Sequence, residues 1–444
     1  MHRLERDQSA YGVGREQALA WGLGLLVAGF LMALYPFHFH VDASVGFNAS
    51  YGDVLIGVLG IAWLFGAVGV RRLPRFSYAV ATFVGVAVIS ALIAWGTGAS
   101  YFVPEHSAVV TLKLLGAIAW FVGIYVLCTR DTIERTQAMA LVSVLLATYF
   151  AAQTVNQGLF MDQLRPEGPF LNPNIYANYL VLNGFLAAYL VGTLQPDRPL
   201  AGTLLSLTMP LFAASLVVTA SRGALFGAAV GVAAVPILYP GRDPRKLLQP
   251  IFVLPAVLSG VVGYFVLKSD EWINDRVTSA FEPDGKNVDT RIDRWEYGLD
   301  GFFENPITGV GYGQSQNYVQ QAGFNGVYPR LHNTHLTVLS ETGLVGALAF
   351  YALFGLIVLQ SVRLAREHDP AYSFLGAFVI ATLAAGLVTG VQTFRSLWIA
   401  VGIIAALSYH HSGQAISVED VRQDVDALVD IVASSVRKLR ASLE

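Results

Sequence analysis

The chain has almost no cysteine and very little charge. One cysteine, Cys128, stands among 444 residues, which excludes a disulfide within the chain and any cysteine-built metal site. Lys, Arg, Asp and Glu together make only 13% of the residues, against roughly a quarter in an ordinary soluble domain. Hydrophobic residues fill the gap at 54%, and the mean hydropathy is +0.53. Too little polar surface remains to cover a soluble globule of this size. That excludes a cytosolic enzyme, a nucleic-acid binder and a disordered chain, and leaves an integral membrane protein. No cleavable signal peptide is expected: the first apolar stretch begins after Glu16, is too long for an h-region and has no small-residue cleavage site behind it.

What is present is a series of long apolar runs. One helix needs roughly 20 apolar residues to cross about 30 Å of hydrocarbon. Runs between charged or Pro/Gly-rich breaks place spans at 17–37, 52–70, 77–96, 107–128, 136–154, 174–194, 200–220, 222–239, 248–267, 333–360, 373–391 and 394–411. They are uniformly apolar instead of alternating, which favours helices over a barrel. The expected fold is an all-α polytopic membrane protein of about 12 spans with one long loop. Nine spans fill 1–267, the loop is 268–332, three spans fill 333–411, and 412–444 is a tail. Two connections are expected to be very short, at Ser221-Arg222 and between 391 and 394.

Positive charge in alternate loops gives the orientation. One side holds Arg3, Arg6, Arg15, then Arg71, Arg72, Arg75, then Arg130 and Arg135, and continues through Arg242, Arg245, Lys246 to the C-terminal Arg437, Lys438 and Arg440. Both termini are therefore expected to be cytoplasmic and the 268–332 loop external. The opposite short loops hold only Arg165, Arg222 and Arg395. These oppose the bias, lie close to helix ends, and are joined by Arg291 and Arg294 from the long loop. Clustered guanidinium groups at a membrane–water boundary suit a phosphate ligand, because each presents a planar fork of donors.

Within the loop, Asp289 to Glu296 reads as an amphipathic helix capped near Asp289 or Thr290, with Trp295 and Tyr297 as interfacial anchors. Asp289 and Asp293, four apart, are read as partners of Arg291 and Arg294 or as a solvated face before they are read as metal ligands. No metal motif is found.

The run Arg291-Ile292-Asp293-Arg294-Trp295, followed by Asn305-Pro306-Ile307-Thr308-Gly309-Val310-Gly311-Tyr312-Gly313, resembles the loop pattern of the O-antigen ligase/polymerase superfamily. His332-Asn333, nine residues, then Gly343-Leu344-Val345-Gly346 resembles the His-Asn-x9-Gly-x-x-Gly signature of O-antigen ligases. Two further blocks agree, Arg165 through Asn172, Asn174 and Asn178, and Ala220-Ser221-Arg222-Gly223. The resemblance implies a GT-C-like membrane glycosyltransferase in the inner membrane of a Gram-negative bacterium. Its donor would be an undecaprenyl-pyrophosphate-linked glycan and its acceptor a sugar hydroxyl of lipid A–core. It implies a periplasmic active site, bound membrane lipids, and no nucleic acid, nucleotide or metal cofactor. Homo-oligomerisation is left open.

That reaction needs fixed positive charge for a pyrophosphate leaving group and a group that removes or orients the acceptor proton. Arg222 and Arg291 match family arginines and are the leading catalytic candidates, with Arg165, Arg294 and Arg395 behind them as substrate-binding residues. His332 holds the signature position and serves as base or orienting group; His335, one turn on, is its substitute. Asn333 reads as a helix cap. Asn172 and Asn174 either bind sugar hydroxyls or form a turn and cap. Lys113, about 9 Å inside its span at 1.5 Å per residue, is either functional or snorkels outward. Glu341 reads as structural, and Gly343 with Gly346 as a close-packing pair. In the tail, Val418 to Leu443 recur at helical spacing, giving an amphipathic cytoplasmic helix. A polymerase or protein O-oligosaccharyltransferase of the same superfamily remains an alternative. A transporter is the non-enzyme alternative, disfavoured by the lack of a convincing internal repeat and by the few buried charges along the spans.

Overall fold

A computed structural model describes residues 38–41, 47–50, 53–58, 72–74, 76–129, 133–161, 166–170, 172–194, 197–238, 285–324, 329–412 and 415–417. The spans expected at 17–37 and 248–267, most of 52–70, and the tail helix from Val418 to Leu443 lie outside the described residues. The protein is mostly helical and membrane-embedded. Six described helices are long and apolar enough to cross a bilayer, and two shorter apolar ones, Arg222–Leu238 and Pro370–Ala385, accompany them.

Among the described residues, most expected helices are observed. They are α1 (Ser77–Gly96), α2 (Pro104–Thr129), α3 (Ile133–Phe160), α4 (Pro173–Leu194), α5 (Pro199–Ser206), α6 (Thr208–Val218) and α7 (Arg222–Leu238). The loop supplies α8 (Gly285–Glu304) and α9 (Ser315–Gln321), and α10 (Thr334–Glu367), α11 (Ser373–Ala385) and α12 (Arg395–Ser412) follow. Proline opens α2, α4 and α5, where its missing N–H costs nothing and its fixed φ suits the first turn. Two short antiparallel ladders complete the description. β1 (His38–Val41) pairs with β2 (Phe47–Ser50), and β3 (Arg72–Pro74) with β4 (Ala415–Ser417).

α4 forms the centre of the bundle, with 83% of its most apolar window buried. It packs on α3, α5, α6 and α11. α12 lies along α2, and α1 along α10. The most extensive contact joins α7 and α11, and small residues create it. A Cβ on Gly227 would stand 2.3 Å from the Ala381 carbonyl oxygen, and one on Gly231 2.7 Å from Ala381 Cβ. Without side chains there the two backbones approach closely, which is how helices gain dispersion contacts in lipid.

Several expectations are corrected. The 200–220 span is interrupted at Leu207, although Pro199–Val218 still counts as one span. The span expected at 373–391 stops at Ala385, so 386–394 is a nine-residue irregular segment instead of a two- or three-residue turn. α11 has 13 residues, about 20 Å at 1.5 Å per residue, and ends short of a 30 Å hydrocarbon layer. Irregular backbone at such a depth persists only where protein or a wet cavity satisfies it. Here the Thr334 N–H donates to the Gly386 carbonyl (2.7 Å), and its hydroxyl meets both the Thr389 carbonyl (2.9 Å) and the Val391 N–H (2.7 Å).

Asp289 and Thr290 are not a cap, because α8 already starts at Gly285. Trp295 and Tyr297, expected as interfacial anchors, turn toward protein. Both pack on the small core of Val319, Leu331 and Leu336, and the Trp295 indole donates to the Leu331 carbonyl at 2.9 Å. Gly343 and Gly346 do not act as a helix-packing pair. Gly343 has φ 63° and ψ −164° and breaks α10, while a Cβ on Gly346 would meet the Thr342 side chain of its own helix at 1.9 Å.

The break at Gly343 receives the loop 306–311. Leu344 N–H donates to the Pro306 carbonyl (2.8 Å), Val310 N–H to Ser340 (2.8 Å) and Gly311 N–H to Glu341 (3.1 Å). A Cβ on Gly309 would lie 2.4 Å from the Glu341 carbonyl carbon, and one on Gly343 2.3 Å from the Ile307 oxygen. Both glycines are therefore required by close approach as well as by positive φ. The interlock fixes the loop against the helix that His332 precedes.

Candidate active site

The segment 329–333 enters α10 under restraint from both sides. Arg294 Nη1 donates to the Arg330 carbonyl at 3.2 Å and Trp295 Nε1 to that of Leu331. Beyond it, the Asn333 side chain accepts from the Leu336 N–H at 3.1 Å, the helix cap expected from sequence. Held between these points, His332 adopts φ +49°, one of two non-glycine residues with positive φ among the described residues. Left-handed backbone costs roughly 1–2 kcal/mol for an L-residue, and such strain concentrates at functional sites.

The surroundings of His332 are cationic. Burial first, then the charges of Arg294, Arg291 and Arg330, push its pKa down to about 4. At neutral pH the imidazole is therefore uncharged and able to accept a proton. Arg294 is buried, with its guanidinium carbon 5.8 Å from the Phe324 ring centre. Burial lowers its pKa, and so does Arg291, while Asp293 opposes them. Asp293 thus acts on a neighbouring cation, as expected; it is exposed, and the Asp289 side chain lies outside the described residues.

Arg222 reaches the same neighbourhood by another route. It opens α7 directly after Ala220, the other positive-φ residue at +50°, and Ser221, whose hydroxyl donates to Asn174 Oδ1 at 2.9 Å. Asn172 Oδ1 caps α4 by accepting from the N–H groups of Asn174 (2.9 Å) and Ile175 (3.2 Å). The cap reading of this pair is thus the observed one. A Cβ on Gly223 would lie 2.8 Å from Val388 Cγ2. Segment 386–391 therefore touches the start of α7 on one side and Thr334 on the other, and brings the Arg222 and His332 blocks together.

Two sequence candidates are committed to internal partners. Arg395 forms a bidentate ion pair with Asp53, 342 positions away, and Trp120 Nε1 shares that carboxylate at 2.7 Å. His335 uses both ring nitrogens, Nδ1 with the Tyr351 hydroxyl (2.7 Å) and Nε2 with the Leu383 carbonyl (2.9 Å), and stacks on Tyr351. Arg165 lies outside the described residues. Glu341 is structural, as read: its buried carboxylate accepts from the Ser315 hydroxyl (2.6 Å) and N–H (3.3 Å) at the start of α9.

Arg330 was missed as a site residue. Two positions before His332, it acts on that imidazole directly, and its Nε lies 3.5 Å from Gln316 Oε1. Its adjacency to the signature histidine was the available signal.

Residues 207–351 match the family model Wzy_C, described as O-Antigen ligase. Over this segment the chain is similar to O-antigen ligases. A search of curated proteins finds no match. The O-antigen ligase match covers Arg222, Arg291, Arg294, Arg330 and His332, the residues that geometry and charge draw together. Lys113, Arg165, Asn172, Asn174 and Arg395 fall outside it. Similarity to this family over that segment supports a glycosyltransferase-like membrane enzyme.

Proposed function

We propose that the protein transfers an O-antigen glycan from undecaprenyl pyrophosphate to a sugar hydroxyl of lipid A–core at the periplasmic face of the inner membrane. In this reading it has twelve spans in a GT-C-like arrangement, with both termini cytoplasmic. The observation that carries the reading is a neutral histidine in a strained backbone, ringed by arginines, at the signature position of an O-antigen ligase domain.

The chemistry balances as follows. The acceptor oxygen attacks the anomeric carbon, and its proton passes to the free imidazole nitrogen of His332. The bond from that carbon to the phosphate oxygen breaks, and the lipid pyrophosphate leaves with the electron pair. Attack from the face opposite the leaving group inverts the anomeric centre. Arg222, Arg291 and Arg294, with Arg165 as a further ligand, stabilise the charge growing on the pyrophosphate; fixed cations in a site of reduced dielectric are strong electrostatic catalysts. Asn172 and Asn174 order the mouth near Arg222. The reaction as written draws on no metal or nucleotide.

The test is reconstitution in liposomes with undecaprenyl-pyrophosphate glycan and lipid A–core, without added metal or nucleotide. Ligation is expected, and His332→Ala should reduce it by at least 10²-fold, the scale of general acid–base catalysis. Arg222→Ala should do likewise. Ligation that persists in both variants defeats the assignment. Chains that lengthen on the lipid carrier without reaching lipid A–core would instead make the protein a polymerase.

A further inference from the structure

Lys113 is an ammonium group placed well inside α2, nine residues or about 13 Å beyond Pro104. Among the described residues it makes no hydrogen bond and no ion pair, and the charge that acts on it is another cation, Arg330. Contacts of the loop explain the approach. Arg330 rests on Gln316; its neighbour Asn317 meets His106 Nδ1 at 3.0 Å; and Gln314 exchanges two hydrogen bonds with the backbone of Val103. A Cβ on Gly313 would lie 3.1 Å from Val110 Cβ, one turn before Lys113 on the same helix face. The loop is thus docked along the first turns of α2, and Arg330 is tied through Gln316 to that docked segment, on the side of α2 that carries Val110 one turn before Lys113.

Two cations carried on segments packed against each other in a membrane-embedded protein are unfavourable unless an anion sits between them. We propose that Lys113 and Arg330 form a phosphate-binding subsite, which receives a lipid-borne phosphate beside His332. The proposal rests on the glycosyl-transfer reading and deepens it by naming residues outside the family signature. The phosphate belongs either to the lipid diphosphate of the donor or to a phosphorylated acceptor glycolipid. The chemistry recognised is the same: a di-anionic oxygen cluster between an ammonium and a guanidinium.

Binding without turnover separates this proposal from the catalytic one. The full chain in nanodiscs is titrated with inorganic pyrophosphate, with a polyprenyl pyrophosphate and with diphosphorylated lipid A, for the parent, Lys113→Gln, Lys113→Arg and Arg330→Gln. Each Gln variant should weaken pyrophosphate binding about tenfold or more, and Lys113→Arg should stay within about threefold. Because Lys113→Gln removes an unpaired cation, its ligand-free melting temperature should equal or exceed the parent's while the pyrophosphate-induced rise is lost. Weakening confined to the polyprenyl lipid assigns the subsite to the donor, and weakening confined to lipid A assigns it to the acceptor. His332→Ala should abolish ligation but retain binding. Parent-like affinity of both Gln variants for all three ligands would overturn the subsite. So would a Lys113→Gln protein that melts lower yet keeps its full ligand-induced rise.

Discussion

His332 illustrates how one residue acquires a function from its surroundings. Burial and three arginines hold the free protein's imidazole at a pKa of about 4. A bound diphosphate offsets those cations, so the same imidazole becomes a stronger base when substrate is present. The sign of the pH dependence follows. The profile of kcat/KM, which reports the free enzyme, should lose activity only as pH falls toward about 4. The profile of kcat, which reports the complex, should lose it at a higher pH. Steady-state ligation between pH 4 and 8 tests this, and a kcat limb at or below the kcat/KM limb contradicts it. Stability moves with the same group: its folded pKa lies below the ordinary histidine value of about 6.5. The unfolded chain therefore takes up the proton first, and this contribution is complete above 6.5 and lost as pH falls toward 4. The motif made His332, Arg222 and Arg291 legible in the sequence. Arg330 was legible only through its adjacency to that motif. The pairing of Arg395 with Asp53 was not, because sequence spacing carries no information about a partner 342 positions away.

At the scale of elements, several helix starts were readable and the helix breaks were not. Prolines at first-turn positions and the Asn333 cap mark starts that local chemistry alone decides. The break at Gly343 depends on what arrives there: backbone from Pro306 to Gly311, brought in from the loop. A glycine in an apolar run signals equally well a packing stripe, as on α7, or an interruption, as in α10. Gly343→Ala separates these meanings. Its φ and ψ of 63° and −164° fall in a region that is essentially glycine-only, where forcing costs roughly 1–3 kcal/mol. The new Cβ would also stand 2.3 Å from the Ile307 carbonyl oxygen. The variant is expected to insert and remain helical by circular dichroism, to melt lower, and to lose at least tenfold in ligation as the loop carrying Arg291, Arg294 and Arg330 shifts. Gly346→Ala would clash within α10 itself, 2.2 Å from Thr342 Cβ; it should also melt lower, but without a contact to the 306–311 loop it should lose less ligation. Equal, small effects would show that the interlock does not position the site.

Across the whole molecule, the distribution of charge and the pairing of strands bear on the same question of sidedness. Charge counting assigns one face to the segment around Arg71, Arg72 and Arg75 and to the C-terminal tail. Independently, β3 and β4 are hydrogen-bonded with Leu73 opposite Ile416, so the chain between them crosses the membrane an even number of times. α1, which follows β3, carries the chain away, and Ser100 beyond it is exposed beside Gln321 of α9. Cysteine is otherwise limited to the buried Cys128, so replacing it with alanine gives a clean background. In that background, Leu73→Cys with Ile416→Cys should form a disulfide on oxidation, since directly opposed antiparallel positions lie about 4.5–5.5 Å apart at Cα. A membrane-impermeant maleimide added to intact spheroplasts should label Ser100→Cys and leave Ile416→Cys unmodified until the membrane is opened. Labelling of both from outside would break the link between strand pairing and sidedness. Protection of Ser100→Cys with labelling of Ile416→Cys would invert the protein and move the arginine-ringed histidine to the cytoplasmic face, where a periplasmic acceptor could not reach it.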